Sequence, residues 1–114
     1  MKYALLIYTK PGSLDGLSDE EREAVSAEYA EVGQDPRVLG GEQLMPIETA
    51  TTVRTDNGQA LTTDGPFADT KEILAGFYLL DANDLDKAIE VAARVPATWM
   101  GGSVEVRPIV ERQS

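Results

Sequence analysis

Two stretches of the chain are apolar at almost every position. They are Tyr3–Tyr8 and Ile73–Leu80, and both carry apolar side chains at odd and even positions alike. Because successive side chains of a β-strand point to opposite faces of a sheet, each stretch predicts a strand that is covered on both faces. The turn residues Pro11 and Gly12 end the first stretch. We therefore interpret the amino terminus as a central strand and not as a signal peptide.

The first helix is predicted from a capping box. Ser18 and Glu21 have the spacing at which each side chain accepts a hydrogen bond from the backbone amide of the other residue. The helix is expected from about Asp19 to Val32, where Gly33 and Pro36 end it.

The second helix is predicted from its apolar periodicity. Asn83 or Asp84 caps it, Pro96 ends it, and its apolar stripe consists of Leu85, Ala88, Ile89, Ala92 and Val95. The strand after it, Ser103–Arg107, has apolar residues on one face only, which is typical of an edge strand.

A hairpin is predicted in the middle of the chain. Asn57-Gly58 joins the β-branched stretch Thr49–Thr55 to a return strand, Gln59–Thr63. The hairpin is polar, so we expect it at a sheet edge or projecting from the sheet. A short strand, Glu42–Met45, is expected before it, after a bend at Gly40-Gly41.

This order of elements predicts one α+β domain over residues 1–114. Strand, helix, strand, strand, helix, strand is the order of a ferredoxin-like sandwich with an antiparallel sheet, here with an added β-hairpin. The first and third main strands of that topology are the central pair, and they are the two apolar stretches of this chain.

The second face of the sheet raises the question of assembly. Two helices cover only one face of a four-stranded sheet, so the other apolar face needs a cover. We expect a symmetric homodimer packed sheet to sheet. The alternative is that the hairpin folds back over that face within one chain.

The composition of the chain excludes several kinds of reactive group and binding partner. The chain has no cysteine and no histidine, which excludes disulfides, thiolate chemistry and a histidine base, and we expect neither metal nor cofactor. Its formal net charge is −10, which argues against direct binding to nucleic acids or anionic membranes. A cytoplasmic location is expected.

The candidate site residues surround the turn that follows the hairpin. Asp64 is a candidate general base if its surroundings raise its pKa, or a structural residue of its own turn. Four aromatic side chains either line an apolar cleft or belong to the core: Phe67, Tyr8, Tyr78 and Trp99. Three cations either hold an anionic group or pair with surface acids: Lys71, Arg54 and Arg107. Glu42 is a possible second acid.

The turn also carries a family resemblance. Asp64-Gly65-Pro66-Phe67 and the residues after it, Ala68–Glu72, resemble the YCII-related family in the branch named after its Asp-Gly-Pro-Phe (DGPF) motif. The resemblance extends over nearly the whole chain, through Met1–Tyr8, Gly40–Glu42, Ala50–Arg54, Gly76–Leu79 and Gly102–Pro108.

The resemblance implies a ferredoxin-like fold in the dimeric α/β-barrel superfamily, with a cleft near the Asp-Gly-Pro-Phe turn. Relatives in that superfamily include muconolactone isomerases and cofactor-independent monooxygenases, and some members of this branch are encoded beside or fused to sigma factors. The broader family has been proposed to use a His–Asp pair, of which only Asp64 has a counterpart here.

The sequence leaves two functions open. The first is a small dimeric binding or accessory module that takes an apolar or anionic ligand, or a protein partner, in sigma-factor systems. The second is a cofactor-independent enzyme that performs isomerase, lactone or proton-transfer chemistry on a small organic acid with Asp64 as base.

Overall fold

The computed structural model describes residues 1–65 and 71–112, and these form six strands and two α-helices. In chain order they are β1 (Lys2–Thr9), α1 (Asp19–Gly33), β2 (Val38–Gln43), β3 (Thr51–Asp56), β4 (Gln59–Asp64), β5 (Ile73–Asp81), α2 (Leu85–Ala92) and β6 (Ser103–Pro108). Short 3₁₀ turns precede β3 at Ile47–Thr49 and follow α2 at Pro96–Trp99.

Four strands form an antiparallel sheet in the order β2-β5-β1-β6. The predicted central pair, β1 and β5, is confirmed, and so is the edge position of β6. With one helix after β1 and the other after β5, this is the ferredoxin-like α+β topology. The added hairpin, β3 and β4, forms a separate two-stranded sheet.

The core lies between the two helices and one face of the four-stranded sheet. Its fully buried side chains include Leu5 and Leu80 of the sheet, Val32 of α1 and Val91 of α2. Alternate residues of β1 therefore face the helices, as the period of two requires.

Helix α1 begins at the predicted capping box. The Glu21 amide donates to Ser18 Oγ at 3.1 Å, and the Ser18 amide donates to Glu21 Oε1 at 3.1 Å. These bonds lower the pKa of the Glu21 carboxyl, the bond with the Ser18 backbone more than that with its side chain. Only Val32 of this helix is fully buried, because its apolar stripe is sparse.

Two predicted elements differ from the structure. The short strand begins at Val38 and includes the glycine pair, since Gly41 pairs directly with Tyr78. In α2, Leu85 and Ile89 are exposed, while Val91 is buried beside Ala88. The helix is only eight residues long, and its packing against the sheet determines which of its faces is buried. The apolar periodicity alone predicted that face incorrectly.

The loop between α1 and β2 is bound to α2 by a charged cluster. Asp35 Oδ1 accepts from the Arg37 amide and Nε at 2.9 and 3.0 Å, and Oδ2 accepts from Arg37 Nη2 and Arg94 Nη1, both at 2.9 Å. The Asp35 side chain is only 6% exposed. The Arg37 side chain, then its backbone amide, hold the pKa of the Asp35 carboxyl well below its usual range.

The hairpin β3–β4 (residues 51–64), called the arm below, projects from the four-stranded sheet, which is one of the two positions expected from the sequence. Thr51 pairs with Asp64 at its base and Asp56 pairs with Gln59 at its tip, where Asn57 and Gly58 form the turn with positive φ angles. Apart from the half-buried Thr52, its side chains are exposed. The arm is anchored at its base, where the Gly65 amide donates to the Ala50 carbonyl at 2.6 Å.

Candidate functional site

One face of the four-stranded sheet is not covered by the helices, and we call it the open face. The strand register puts six apolar side chains on it, three from β1 and three from β5: Ala4, Leu6, Tyr8, Leu74, Phe77 and Leu79. None of the six is fully buried, and Leu74 and Leu79 are 44% and 37% exposed.

Polar residues border this apolar surface on both sides. On β6, Ser103, Glu105 and Arg107 lie opposite Tyr8, Leu6 and Ala4. On β2, Glu42 lies opposite Phe77. A contiguous apolar patch with a polar rim is typical of a surface that binds another molecule.

A shallow cleft of about 600 Å³ opens at one end of β1, β5 and β6. It is lined by Tyr8, Lys71, Glu72, Ser103, Val104 and Glu105. Tyr8, Ser103 and Glu105 belong to the open face by register, so the cleft joins that face. The cleft is open to solvent in the single protomer.

The polar groups of the cleft include two carboxylates, a hydroxyl and one lysine. The Ser103 hydroxyl donates to Glu72 Oε2 at 2.8 Å, and Glu105 forms an ion pair with Arg107. Among the residues that the structure describes, none forms an ion pair with the exposed ammonium group of Lys71. The arrangement therefore offers a positive charge beside the aromatic ring of Tyr8.

The structure brings three of the predicted site residues together. Tyr8 and Lys71 line the cleft, and Arg107 is linked to it through Glu105. Glu42 lies on the same sheet face, across β5 and β1 from Glu105.

Tyr78 lies on the opposite side of the sheet, against the helices. Its ring is half-buried in the core, and its hydroxyl donates to the Tyr29 carbonyl at 2.7 Å. Burial, and to a lesser degree the charge interaction with Tyr29, raise the pKa of Tyr78. The sequence left open whether Tyr78 lines a cleft or belongs to the core, and the structure places its ring in the core.

Asp64 lies at the base of the arm and is exposed. It pairs with Thr51 and is not among the residues that line the cleft. The next residue, Gly65, has a φ of +103°, which a side chain would disfavour, and its carbonyl accepts from Thr52 Oγ1 at 2.8 Å. Gly65 therefore has a backbone conformation that favours glycine.

The remaining candidates are dispersed. Trp99 is 57% exposed in the 3₁₀ turn after α2, and Arg54 is exposed on β3. Phe67 lies outside the described residues.

Four cleft residues were not predicted: Glu72, Ser103, Val104 and Glu105. A signal for two of them is present in the sequence, because Ser103 and Glu105 alternate with the core-facing Val104 and Val106. A one-sided strand that pairs with a two-sided strand must direct its polar residues to the same open face.

Within residues 1–65 and 71–112, no helix combines the length and apolar character needed to cross a membrane. Over the same ranges, no three acidic, histidine or cysteine side chains are grouped so as to hold a metal ion.

Fold and site together define a two-layer α+β protein with an open sheet face and a cleft at its end. The family model for the YCII-related domain matches residues 1–113, and the chain belongs to that family. It is 39% identical over 117 residues to a protein of Rhizobium meliloti (strain 1021) that is described as uncharacterized. That alignment covers 96% of this chain and 92% of the relative.

Proposed function

We propose that the protein is a homodimeric binding module that holds a small organic anion with an apolar body. The observation that carries this proposal is the position of the cleft on the open face. A second copy packed on that face covers the apolar side chains and encloses the cleft at the same time.

The dimer is supported by the shape of the protomer. The Cα atoms have a radius of gyration of 16.1 Å and span 46 × 45 × 19 Å. A compact chain of this length has a radius of gyration of roughly 13 Å. The protomer is therefore a thin slab whose arm extends laterally, and the arm does not supply a second layer over the open face.

The ligand class is supported by the lining of the cleft. Lys71 provides a cationic contact, Tyr8 provides an aromatic wall, and the nearby carboxylates of Glu72 and Glu105 already have partners. An aromatic or aliphatic carboxylate fits this combination, because its charge pairs with the lysine and its body packs on the ring.

The Asp-Gly-Pro-Phe branch and the dimeric α/β-barrel superfamily are the finer placement that we propose, supported by Asp64–Phe67 and by the topology. A role beside sigma factors follows from the resemblance to that branch. The net charge of −10 suits contact with a basic protein surface better than contact with DNA.

The enzymatic alternative keeps Asp64 as a base for proton transfer or isomerisation. That chemistry requires a site closed to water, whereas Asp64 is exposed in the protomer. An Asp64→Asn variant that keeps its melting temperature and its ligand binding, but loses turnover of the bound acid, would favour this alternative.

Native mass spectrometry followed by a benzoate titration tests the main proposal. We expect a dimer mass, any co-purified ligand to leave on denaturation, and benzoate to shift the amide resonances of Ser103 and Glu105. A monomer mass would overturn the dimer. A dimer without a co-purified ligand and without these shifts would overturn the ligand site.

A further inference from the structure

The arm has the properties of an element that is stabilised by another molecule. An isolated two-stranded hairpin is at best marginally stable in water. In this chain both faces of the arm are exposed, including an apolar residue on each face, Val53 at 61% and Leu61 at 50%. The arm nevertheless has a regular register and an anchored base, so it has a fixed starting point from which it can contact another molecule.

The arm and the cleft lie at the same end of the sheet. The arm is inserted between the end of β2 and the start of β5, and the Leu44 amide donates to the Ala75 carbonyl there. Strand β5 also begins at the cleft, where Ile73 pairs with Thr9 and Leu74 with Tyr8. The arm therefore leaves the slab beside the opening of the cleft.

The area of the open face also requires a further contact. Four strands spaced about 4.8 Å apart and about seven residues long have a projected area of roughly 440 Å². A stable interface buries about 800 Å² on each partner. Measured as a flat projection, the open face is smaller than such an interface, and the exposed arm is the adjacent surface that can enlarge it.

The arm is long enough to make this contact. Its two strands of six residues each extend about 20 Å. Because the arm extends laterally, it reaches beyond its own sheet and can face a second slab that is packed about 10 Å from the open face.

We propose that the arm of each protomer packs against the second protomer and forms the missing wall of that protomer's cleft. The inference rests on the proposed sheet-to-sheet dimer and adds which element of the partner completes the site. A ligand in one cleft then contacts both chains, so that ligand binding and dimerisation strengthen each other.

Mixed dimers test the path of the arm directly. Because the chain has no cysteine, Gln59→Cys gives a single attachment point for a nitroxide near the tip of the arm. Spin-labelled chains are mixed with isotopically labelled wild-type chains, and amide signals are read from the latter. We expect broadening at Lys71, Ser103 and Glu105 of the wild-type chain.

A label at Glu28→Cys, on the exposed side of α1, is the matched control and should leave these signals unchanged. No broadening from Gln59→Cys in a wild-type dimer overturns the inference and leaves the dimer standing. In a second mixture the spin-labelled chains carry the isotope label, and broadening that is seen only in this second mixture means that the arm closes its own cleft, which also overturns the inference.

A second pair of variants separates folding from contact. Val53→Asp combined with Leu61→Asp should raise the dimer dissociation constant at least tenfold with an unchanged circular dichroism spectrum, because both residues are exposed in the protomer. Val110→Asp, at a residue that is also exposed but lies outside the arm, should leave the constant unchanged. Equal constants for the arm variant and wild type contradict the inference, whereas a monomeric wild type contradicts the dimer itself.

Discussion

At the scale of single residues, the strongest electrostatic arrangement lies away from the cleft. Asp35 accepts four hydrogen bonds from Arg37 and Arg94 and joins the loop before β2 to α2. The sequence signal for it is weak, since an aspartate before proline in a turn usually bonds only to its own neighbours. The contact with Arg94, 59 positions away, depends on the tertiary fold.

Replacing Asp35 by asparagine should lower the free energy of unfolding by about 1–3 kcal/mol at pH 7, since the amide has no negative charge and presents a donor group in place of one acceptor oxygen. The pKa of this carboxyl is lower in the folded state than in the unfolded state. Its contribution is therefore complete above about pH 4 and is lost as the pH falls below that value. Urea unfolding at pH 7, 5 and 3 should show the difference from wild type shrinking at the lowest pH.

Asp86→Asn removes the same charge from an exposed position of α2 and serves as the control. Its effect should stay within about 0.5 kcal/mol at each pH. If the two variants lose the same stability, the hydrogen bonds to Asp35 do not stabilise the fold.

Lys71→Met should weaken benzoate binding about fivefold, the effect of losing an ion pair of about 1 kcal/mol. The melting temperature should not change, because the side chain is exposed. Lys87→Met is the control, since Lys87 lies on α2 and pairs with Glu90. Equal affinities for the two variants in an amide-shift titration would remove Lys71 from the site.

At the scale of elements, the pairing of β2 with β5 depends on a glycine. A Cβ at Gly41 would contact the Phe77 carbonyl oxygen and would lie 2.8 Å from the Tyr78 ring. At the neighbouring Gly40 a Cβ would meet no atom within 4 Å. The missing side chain of Gly41 lets Tyr78 lie across β2 and bond to the Tyr29 carbonyl of α1.

Gly41→Ala should therefore lower the stability by about 1–3 kcal/mol through overpacking. Gly40→Ala, one residue away, should change it by no more than about 0.5 kcal/mol. Thermal unfolding monitored by tyrosine absorbance compares the two. Similar losses would mean that the steric contact with β5 is not the cause.

At the scale of the whole molecule, the open face is the surface through which we propose that the protein dimerises. Leu79 lies on it between the two edges and is only partly exposed in the protomer. Leu79→Glu should raise the dimer dissociation constant at least a hundredfold, because a charge in a packed apolar interface is costly. Sedimentation velocity over a range of concentrations measures the change.

Ile89→Glu is the matched control, because Ile89 is a similarly exposed apolar residue on the outside of α2. This variant should remain dimeric. Dissociation of the Ile89→Glu dimer with an intact Leu79→Glu dimer would place the interface on the helix layer and contradict packing through the sheet.

The sequence determined the elements and their order, because periodicity, the capping box and the Asn57-Gly58 turn act between near neighbours. The sequence also predicted the central position of β1 and β5, since strands that are apolar on both faces are typical of the middle of a sheet. Tertiary structure alone decided which residues meet. The rotation of α2 exposes Leu85 and Ile89, the register places Ser103 and Glu105 beside Tyr8, and the fold brings Arg94 to Asp35. These contacts join positions far apart in the chain, and their geometry is set by packing rather than by local sequence.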